Sequence, residues 1–330
     1  MRIAIYEWCM SGGLAGGDAD IAREGRMMLE ALAADAAKDP ALDVRVLVEA
    51  GRAIDLPDGA RVVTVAPDGG VPAVVAAGCD ADWLVVVAPE TDGILASLVG
   101  RLRTAGCRVP APTSAAIAIA ADKQVTIDAL AARGVPVPAG RALAGGQSVP
   151  AGFHMPAVRK LRGSCGGDGL EVLTAHPVTP AASPTRIEAH VDGTPVGVSC
   201  ICGGSATTVL PPLRQVFTAG RSPRYLGGDL VADAALAARA ADLARRVAAA
   251  LAIDAGWLGV DMILGDRADG RDDRVLEANP RITTSFVGLA RLFSSSLVAT
   301  MIDAAAGMPR LPTRIPQAAA SAARFRVPDA

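Results

Sequence analysis

The chain has 330 residues, with 32 basic and 34 acidic side chains, a net charge of −2 and a pI near 6.0. That length supports two or three domains with cores of their own. The near-neutral balance, with no long basic run, argues against a nucleic-acid footprint and against a basic membrane patch. The opening MRIAIYEWCM reaches Glu7 too soon for the apolar region of a signal peptide, and no stretch approaches the ~20 apolar residues of a membrane span. A cytoplasmic enzyme acting on small molecules is therefore expected, with homo-oligomerisation left open. Six cysteines include no C-x-x-C pair and three histidines are scattered, so reduced, mostly buried thiols are expected rather than zinc or disulfides. Only three of the 32 basic residues are lysines: Lys38, Lys123 and Lys160. Where arginine has displaced lysine nearly everywhere, a remaining lysine suggests a need for a compact, flexible point charge.

In chain order, residues 2–8 read as a first strand, followed by a glycine-rich loop at 11–18 (SGGLAGGD). Ile21, Met27, Met28 and Leu32 have the spacing of an amphipathic helix from Asp20 to about Lys38. Strands follow at 44–50, 61–66 and 82–89, so the first 110 or so residues alternate β and α and predict an open parallel sheet. The loop lacks the G-x-G-x-x-G spacing, and Glu49 comes too late to be the acid of a dinucleotide fold. It remains a plausible place for a substrate, at a strand's carboxyl end.

After the turn RVPAP (108–112), TSAAIAIAA (113–121) is helical. Asp122 then caps a second helix that ends at Gly134, with Pro136 and Pro138 beyond. Lys123 occupies that helix's first position, where a cation opposes the dipole by some ~0.3–1 kcal/mol. It is either a solvated lysine tolerating that cost or one directed at a phosphate. The strand PAVRKLR (156–162) runs through Lys160 into GSCGGDG (163–169), a loop able to bend over an anion and present bare N–H groups. An ordinary flexible hairpin is the alternative. RIEAHV (186–191) precedes the Asp192-Gly193 turn and the strand PVGVSCIC.

Residues 203–230 are punctuated by proline and glycine and cluster Arg214, Arg221 and Arg224; they read either as an exposed irregular loop or as the arginines that a carboxylate substrate or acyl phosphate would call for. Residues 233–252 are a clear helix. The strands WLGVDMIL (257–264) and RVLEANPRI (274–282) then flank a polar Gly/Asp-rich turn, an antiparallel hairpin. Alternation puts Glu277 and Asn279 on one face, with Arg281 and, across the hairpin, Asp261. Two carboxylates, an amide oxygen and a guanidinium suit a hard cation that also holds phosphate oxygens; a polar outer face of the hairpin is the alternative. Embedded among Val260, Met262, Leu264, Val275 and Leu276, the hairpin should bury its other face. TTSFVGLARL, from Thr283, opens another helix, and the tail beyond about Pro309 reads as poorly ordered.

The helix lysine, the strand lysine with its glycine-rich loop, and the E-x-N strand paired with an upstream Asp resemble the ATP-grasp family. The resemblance implies an α/β fold, α+β in its C-terminal part: an N-terminal open parallel-sheet domain (1–112), a central subdomain (113–190), a C-terminal subdomain with a metal site (191–310) and a tail (311–330). It implies ATP and magnesium, or manganese, as cofactors. Asp261, Glu277 and Asn279 become metal ligands, Lys123 contacts the α-phosphate, and Lys160 contacts the α- and β-phosphates. Residues 163–169, with Gly163, Ser164, Gly166, Gly167 and Gly169, become a mobile lid. Glu188 faces the adenine amine, with Ala189, His190 and Val191 as the hinge. Where many members hold the ribose with an acid, this chain has Thr194, Pro195 and Val196, and Asp192 is a weak substitute. Arg281 matches an arginine found in some members only.

The runs IYEW, SGG and EGRMMLEAL near the start, APETDGIL (88–95), ADKQVT, GVPVP, RYLGG and EANPRITTS resemble the tyramine–glutamate ligase branch. That branch implies joining the γ-carboxylate of glutamate to an amine, in biosynthesis of methanofuran-type one-carbon cofactors. In such a ligase Arg281, a loop arginine such as Arg214, and Lys160 would serve catalysis. Candidates for holding substrates are Ser11, Gly12, Gly13, Glu24, Glu90, Arg221, Tyr225, Gly227, Gly228 and Ser285. ATP-grasp ligases with other acids and amines, a non-catalytic Mg·ATP-binding module and a nicotinamide enzyme stay open.

Overall fold

The first strands are apolar on both faces because helices cover both. A computed structural model describes residues 1–13, 19–67, 70–165, 169–176, 178–316 and 320–327. Strands β1 (Arg2–Glu7), β2 (Asp43–Glu49), β3 (Arg61–Val65) and β4 (Trp83–Val87) form a parallel sheet ordered β3-β2-β1-β4. Parallel neighbours require crossovers: α1 (Ala19–Ala36) joins β1 to β2, the helix-free stretch 50–60 joins β2 to β3, and α2 (Gly70–Cys79) joins β3 to β4, with α3 (Ile94–Thr104) after β4. Leu29, Leu32 and Ala33 of α1 pack against Ile3, Ile5, Val44 and Val46. Val74, Leu95 and Leu98 cover Ala4, Tyr6 and Leu84 on the other face. Glu7 and Glu90 therefore emerge at the carboxyl edge of the sheet, where open α/β sheets bind ligands.

Two helices lead into the second layer. Thr113 caps α4 (Ser114–Ala121) through its hydroxyl, and Asp122 caps α5 (Lys123–Ala132), accepting from Gln124 N at 2.9 Å and Val125 N at 3.2 Å as expected. Each such cap contributes about 1 kcal/mol. Strands β5 (Gly140–Leu143), β6 (Ala157–Leu161), β7 (Glu171–Leu173) and β8 (Thr185–Ala189) form an antiparallel sheet ordered β5-β8-β6-β7. One face buries Leu143, Ala157, Leu173 and Ile187. The opposite face carries Lys160, Arg186 and Glu188.

The third layer is a seven-stranded sheet built from β9 (Thr194–Gly203), β10 (Ala206–Val209), β11 (Leu213–Phe217), β12 (Tyr225–Leu230), β13 (Ala255–Leu264), β14 (Arg274–Asn279) and β15 (Phe325–Arg326). The expected irregular loop at 203–230 is thus three strands. Its prolines and glycines separate strands instead of replacing them: Pro211 and Pro212 lie between β10 and β11. The tail is likewise tied down, because β15 pairs with β12 and Phe325 is buried. Helix α6 (Ala234–Ala250) packs against Val196, Val198, Val260 and Met262 on one face. On the other, α7 (Ser285–Leu289) and α8 (Leu297–Ala305) share a core with Ile201, Trp257 and, across the domain boundary, α1.

That boundary explains the third lysine. Lys38 Nζ donates to Asp35 Oδ1 at 2.9 Å and to the carbonyls of Ala290 (2.5 Å) and Phe293 (3.1 Å). Asp35, 1 % exposed, accepts in turn from Ser296 Oγ and Val298 N at the start of α8. A carboxylate there complements the positive end of the helix. No helix among the described residues is long and apolar enough to cross a membrane.

Candidate active site

The hairpin of β13 and β14 sets Asp261 opposite Glu277, and Gly259 opposite Asn279. Strict alternation would also turn Val275 toward Glu277's face, yet Val275 is fully buried beside α6. A β-bulge resolves the conflict. The register shifts between Asp261 and Met262, pairing Met262 with Val275, so Leu276 is the extra residue. The bulge re-aims the strand, leaving Val275 in the core and Glu277 on the open face with Asn279 and Asp261. Asn279 Nδ2 donates to Asp261 Oδ2 at 3.0 Å, and Gln215 Nε2 donates to Asp261 Oδ1 at 2.7 Å. Burial, reinforced by the charge of Glu277, pushes the Asp261 carboxyl up to about 6 despite those two donors. A cation between the two acids would relieve that strain on charge.

Both lysines reach the same place from the opposite wall. The α5 terminus is pinned to the end of β6: Lys123 N donates to Arg162 O at 3.0 Å, and Arg162 pairs with the capping Asp122 at 2.6 Å. Lys123 is only 6 % exposed; its Nζ lies 3.0 Å from Glu277 Oε1 and donates to Ser164 O at 2.5 Å. It is not a solvated lysine. Burial works to lower its pKa, but Glu277 and the charges of Glu90 and Cys165 together outweigh it and hold the ammonium above the usual lysine value. Lys160, also buried, lies 2.5 Å from Glu188 Oε1 and close enough to Asp261 for its charge to favour that carboxylate. Glu188 is 2 % exposed and its second oxygen accepts from Arg186 Nε at 3.0 Å. Each of its oxygens thus has a cationic partner within the protein.

The N-terminal domain closes the third side. Arg281 Nε donates to Glu90 Oε2 at 2.8 Å, with 13 % of the arginine and 7 % of the glutamate side chain exposed. Glu7 lies within electrostatic reach of Arg281 and accepts from Met10 N at 2.9 Å, yet burial dominates and raises its carboxyl to about 7 from 4.5. Unfolding frees Glu7 to ionise from pH 4.5, whereas the folded protein resists until about 7, so its contribution to stability falls as pH rises across that window. Urea denaturation of Glu7→Gln against the parent should show the variant gaining up to ~3 kcal/mol relative to it between pH 4.5 and 7.5. A difference that stays flat with pH contradicts this.

Other expected residues lie elsewhere or have packing reasons. Arg214 stands opposite Val196, on the α6 face of the sheet, while its neighbour Gln215 points to Asp261. A strand, unlike a loop, cannot turn both residues to the cleft. Arg221 is two-thirds exposed, lies 4.0 Å from Glu171 Oε2 and lines a surface hollow of about 360 Å³ with Val172 and His176. Ser11 spends its hydroxyl on Leu47 O at 2.7 Å, Gly12 has φ +87°, and a Cβ on Gly13 would strike the Trp8 ring at 2.3 Å. Gly227 and Gly228 lie against β15.

Tyr225 and Ser285 remain near the site. The Tyr225 phenol, its pKa raised by burial and by the charge of Asp261, bonds Thr284 and feels Glu24. Ser285 Oγ is 3.0 Å from Ser199 Oγ and 2.7 Å from Thr283 Oγ1. Gly163 and Gly169, the first and last residues of the loop, are exposed. Gly166, Gly167 and most of the loop at 11–18 lie outside the described residues. Ala189, His190 and Val191 connect the two antiparallel sheets, half-buried or exposed; Asp192 faces solvent and sits 3.4 Å from His190 Nδ1.

Three residues of the site escape a reading by motif. Gln215 sat in the supposed loop, Arg186 in a strand end, and Glu7 in an apolar strand. Arg186 also bonds Gln124 Oε1 at 2.7 Å and Pro138 O at 2.9 Å, tying β8 to α5. Only the strict alternation of LRQVF could have flagged Gln215.

Among the described residues no three or more His, Cys, Asp or Glu side chains gather as a metal site. The donors at the cleft are two carboxylates and an amide, oxygen ligands that fit magnesium better than zinc. The arrangement can hold an anion against two buried ammonium groups and a hard cation against two acids.

Comparison with known proteins agrees with this fold. Residues 120–285 match the ATP-grasp domain family, and residues 47–117 match the pre ATP-grasp 3 domain. No curated protein matches the chain by sequence. Among solved structures, one from Archaeoglobus fulgidus assigned to the ATP-grasp superfamily superposes with a TM-score of 0.71 at 20% identity, covering 94% of this chain and 89% of its own. D-alanine–D-alanine ligase from Bacillus anthracis gives 0.62 at 16% identity, covering 92% and 97%. L-amino acid ligase from Bacillus licheniformis gives 0.67 at 13% identity, covering 93% and 75%. The chain belongs to the ATP-grasp family and carries the fold of ATP-dependent ligases.

Proposed function

We propose that this protein is an ATP-dependent carboxylate–amine ligase, with the carboxylate first phosphorylated by ATP and the acyl phosphate then attacked by an amine. The observation that supports it most is the meeting of Asp261, Glu277 and Asn279 with Lys123 and Lys160 from another subdomain. Asp261 and Glu277, with the Asn279 amide oxygen, would hold magnesium or manganese, which when bound offsets negative charge on the phosphates. Lys123 and Lys160 supply compact positive charge to the phosphate oxygens. Glu277 keeps Lys123 protonated and aimed into the cleft until nucleotide arrives, and Glu188 holds Lys160 in place through their buried ion pair. Arg281, anchored by Glu90, is placed to steady the oxyanion that forms when the amine attacks.

For the substrates, L-glutamate, reacting at its γ-carboxylate, and tyramine are the pair that the runs APETDGIL, RYLGG and EANPRITTS favour. The setting would be biosynthesis of a methanofuran-like one-carbon cofactor. A screen of ADP release over amino acids crossed with amines, including glutamate and tyramine, tests both levels. ADP formed only when acid and amine are both present supports ligation. Release with no dependence on either sinks it.

A further inference from the structure

Glu90 is buried at the carboxyl edge of the parallel sheet, with 6 % of its surface exposed. Its Oε2 is taken by Arg281 Nε at 2.8 Å, but its Oε1 is buried and has no hydrogen-bond partner among the described atoms. A buried carboxylate oxygen without a donor is costly. Glu90's charge is felt by Lys123 as well as by Arg281, so the carboxylate sits against the cleft that the two lysines and the hairpin enclose. Lys123 is already committed to Glu277 and Ser164 O, and Arg281 Nη1 donates to Ile282 O at 3.2 Å. With no donor for it among the described residues, the vacant acceptor calls for one from a ligand.

We propose that Glu90 Oε1 binds the ammonium group of the amine substrate, so that the protein selects cationic primary amines as its nucleophiles. This rests on the ligase reading above. An uncharged alcohol would satisfy one lone pair without offsetting the charge, and a carboxylate would be repelled. An ammonium offers three donors and a full positive charge, the strong class of hydrogen bond. The ammonium must lose a proton before it can attack. The neutral amine then forms the C–N bond as the acyl C–O bond to phosphate breaks. Of the two protons the nitrogen sheds, one leaves with the departing phosphate and the other passes to solvent or a carboxylate. Glu90 positions the nitrogen beside the arginine that faces the carbonyl oxygen.

The test uses the full chain with Mg·ATP and two nucleophile types. Hydroxylamine, uncharged at neutral pH, traps an acyl phosphate as a hydroxamate; amino acids are supplied singly as the acid, and tyramine, ethanolamine and putrescine as amines. The expected result is hydroxamate from at least one acid, amide from that acid with a cationic amine, and in Glu90→Gln a fall of about tenfold to a hundredfold in the kcat/KM for the amine relative to that for hydroxylamine. Glutamine keeps an acceptor for Arg281, so a loss confined to the cationic nucleophile is charge recognition. An equal loss for both nucleophiles, or a parent enzyme that uses none of the amines while forming hydroxamate, overturns the assignment of Glu90. Absence of any hydroxamate in the parent overturns the ligase reading instead. Should Glu90→Gln fail to fold, binding of tyramine and of its uncharged alcohol analogue, 4-(2-hydroxyethyl)phenol, to the parent with a non-hydrolysable ATP analogue decides: tyramine should bind at least about tenfold more tightly, and equal affinity refutes the proposal.

Discussion

Replacing Glu277 with glutamine lowers ATP-dependent amide formation by at least about a thousandfold. The substitution keeps volume and one acceptor, but removes one of two negative charges that face the cation position. Its neighbours respond in opposite directions. Asp261, whose carboxyl is raised first by burial and then by Glu277, loses the repulsive part and ionises more easily. Lys123, 6 % exposed and 3.0 Å from Glu277 Oε1, loses the partner that holds its pKa up. Glu277 is 23 % exposed, so solvent screens part of that pair, and the cost to the ligand-free fold is about 1–2 kcal/mol, less than for a fully buried pair. Coupled ADP release measures the first effect and urea denaturation the second. Turnover within tenfold of the parent would remove Glu277 from the reaction.

Lys160→Met has a larger effect on the fold and a comparable one on nucleotide. Lys160 is 2.5 Å from Glu188 Oε1, and both side chains are nearly inaccessible. Methionine fills the stem's volume but strands one oxygen of a glutamate that is 2 % exposed. Breaking a buried pair on one side costs ~3–5 kcal/mol; Arg186, still bonded to Oε2, keeps the loss toward the lower end. Mg·ATP affinity by isothermal titration should fall about a hundredfold or more. The double variant Lys160→Met, Glu188→Gln separates the two roles: it recovers most of the stability and none of the affinity. Recovery of both would mean that Lys160 serves only to neutralise Glu188.

Much of this site was legible in residue order. Lys123 after a capping aspartate, Lys160 before a glycine-rich loop, and Asp261 with Glu277 and Asn279 could each be named, because cap chemistry and strand alternation act over a few residues. The scarcity of lysine also held meaning, since all three point into enclosed sets of acceptors: Lys38 at a domain boundary, the other two in the cleft. Arg214 shows the limit. Loop and strand predict different partners for it, and 203–230 became strands because neighbouring chain segments supply ladders that local punctuation cannot reveal.

The sequence by itself determined the alternation of strands and helices, the parallel first sheet, the hairpin and the acids and lysines that chemistry would need, all consequences of short-range periodicity and capping. Only the tertiary structure decided which of these side chains meet. The one-residue bulge at Leu276 sets Glu277 apart from Val275, Gln215 reaches Asp261 from a strand 46 residues away, and Glu90 reaches Arg281 across 191. Such contacts follow from sheet register and domain packing, which depend on the whole core's burial and on no single stretch of chain.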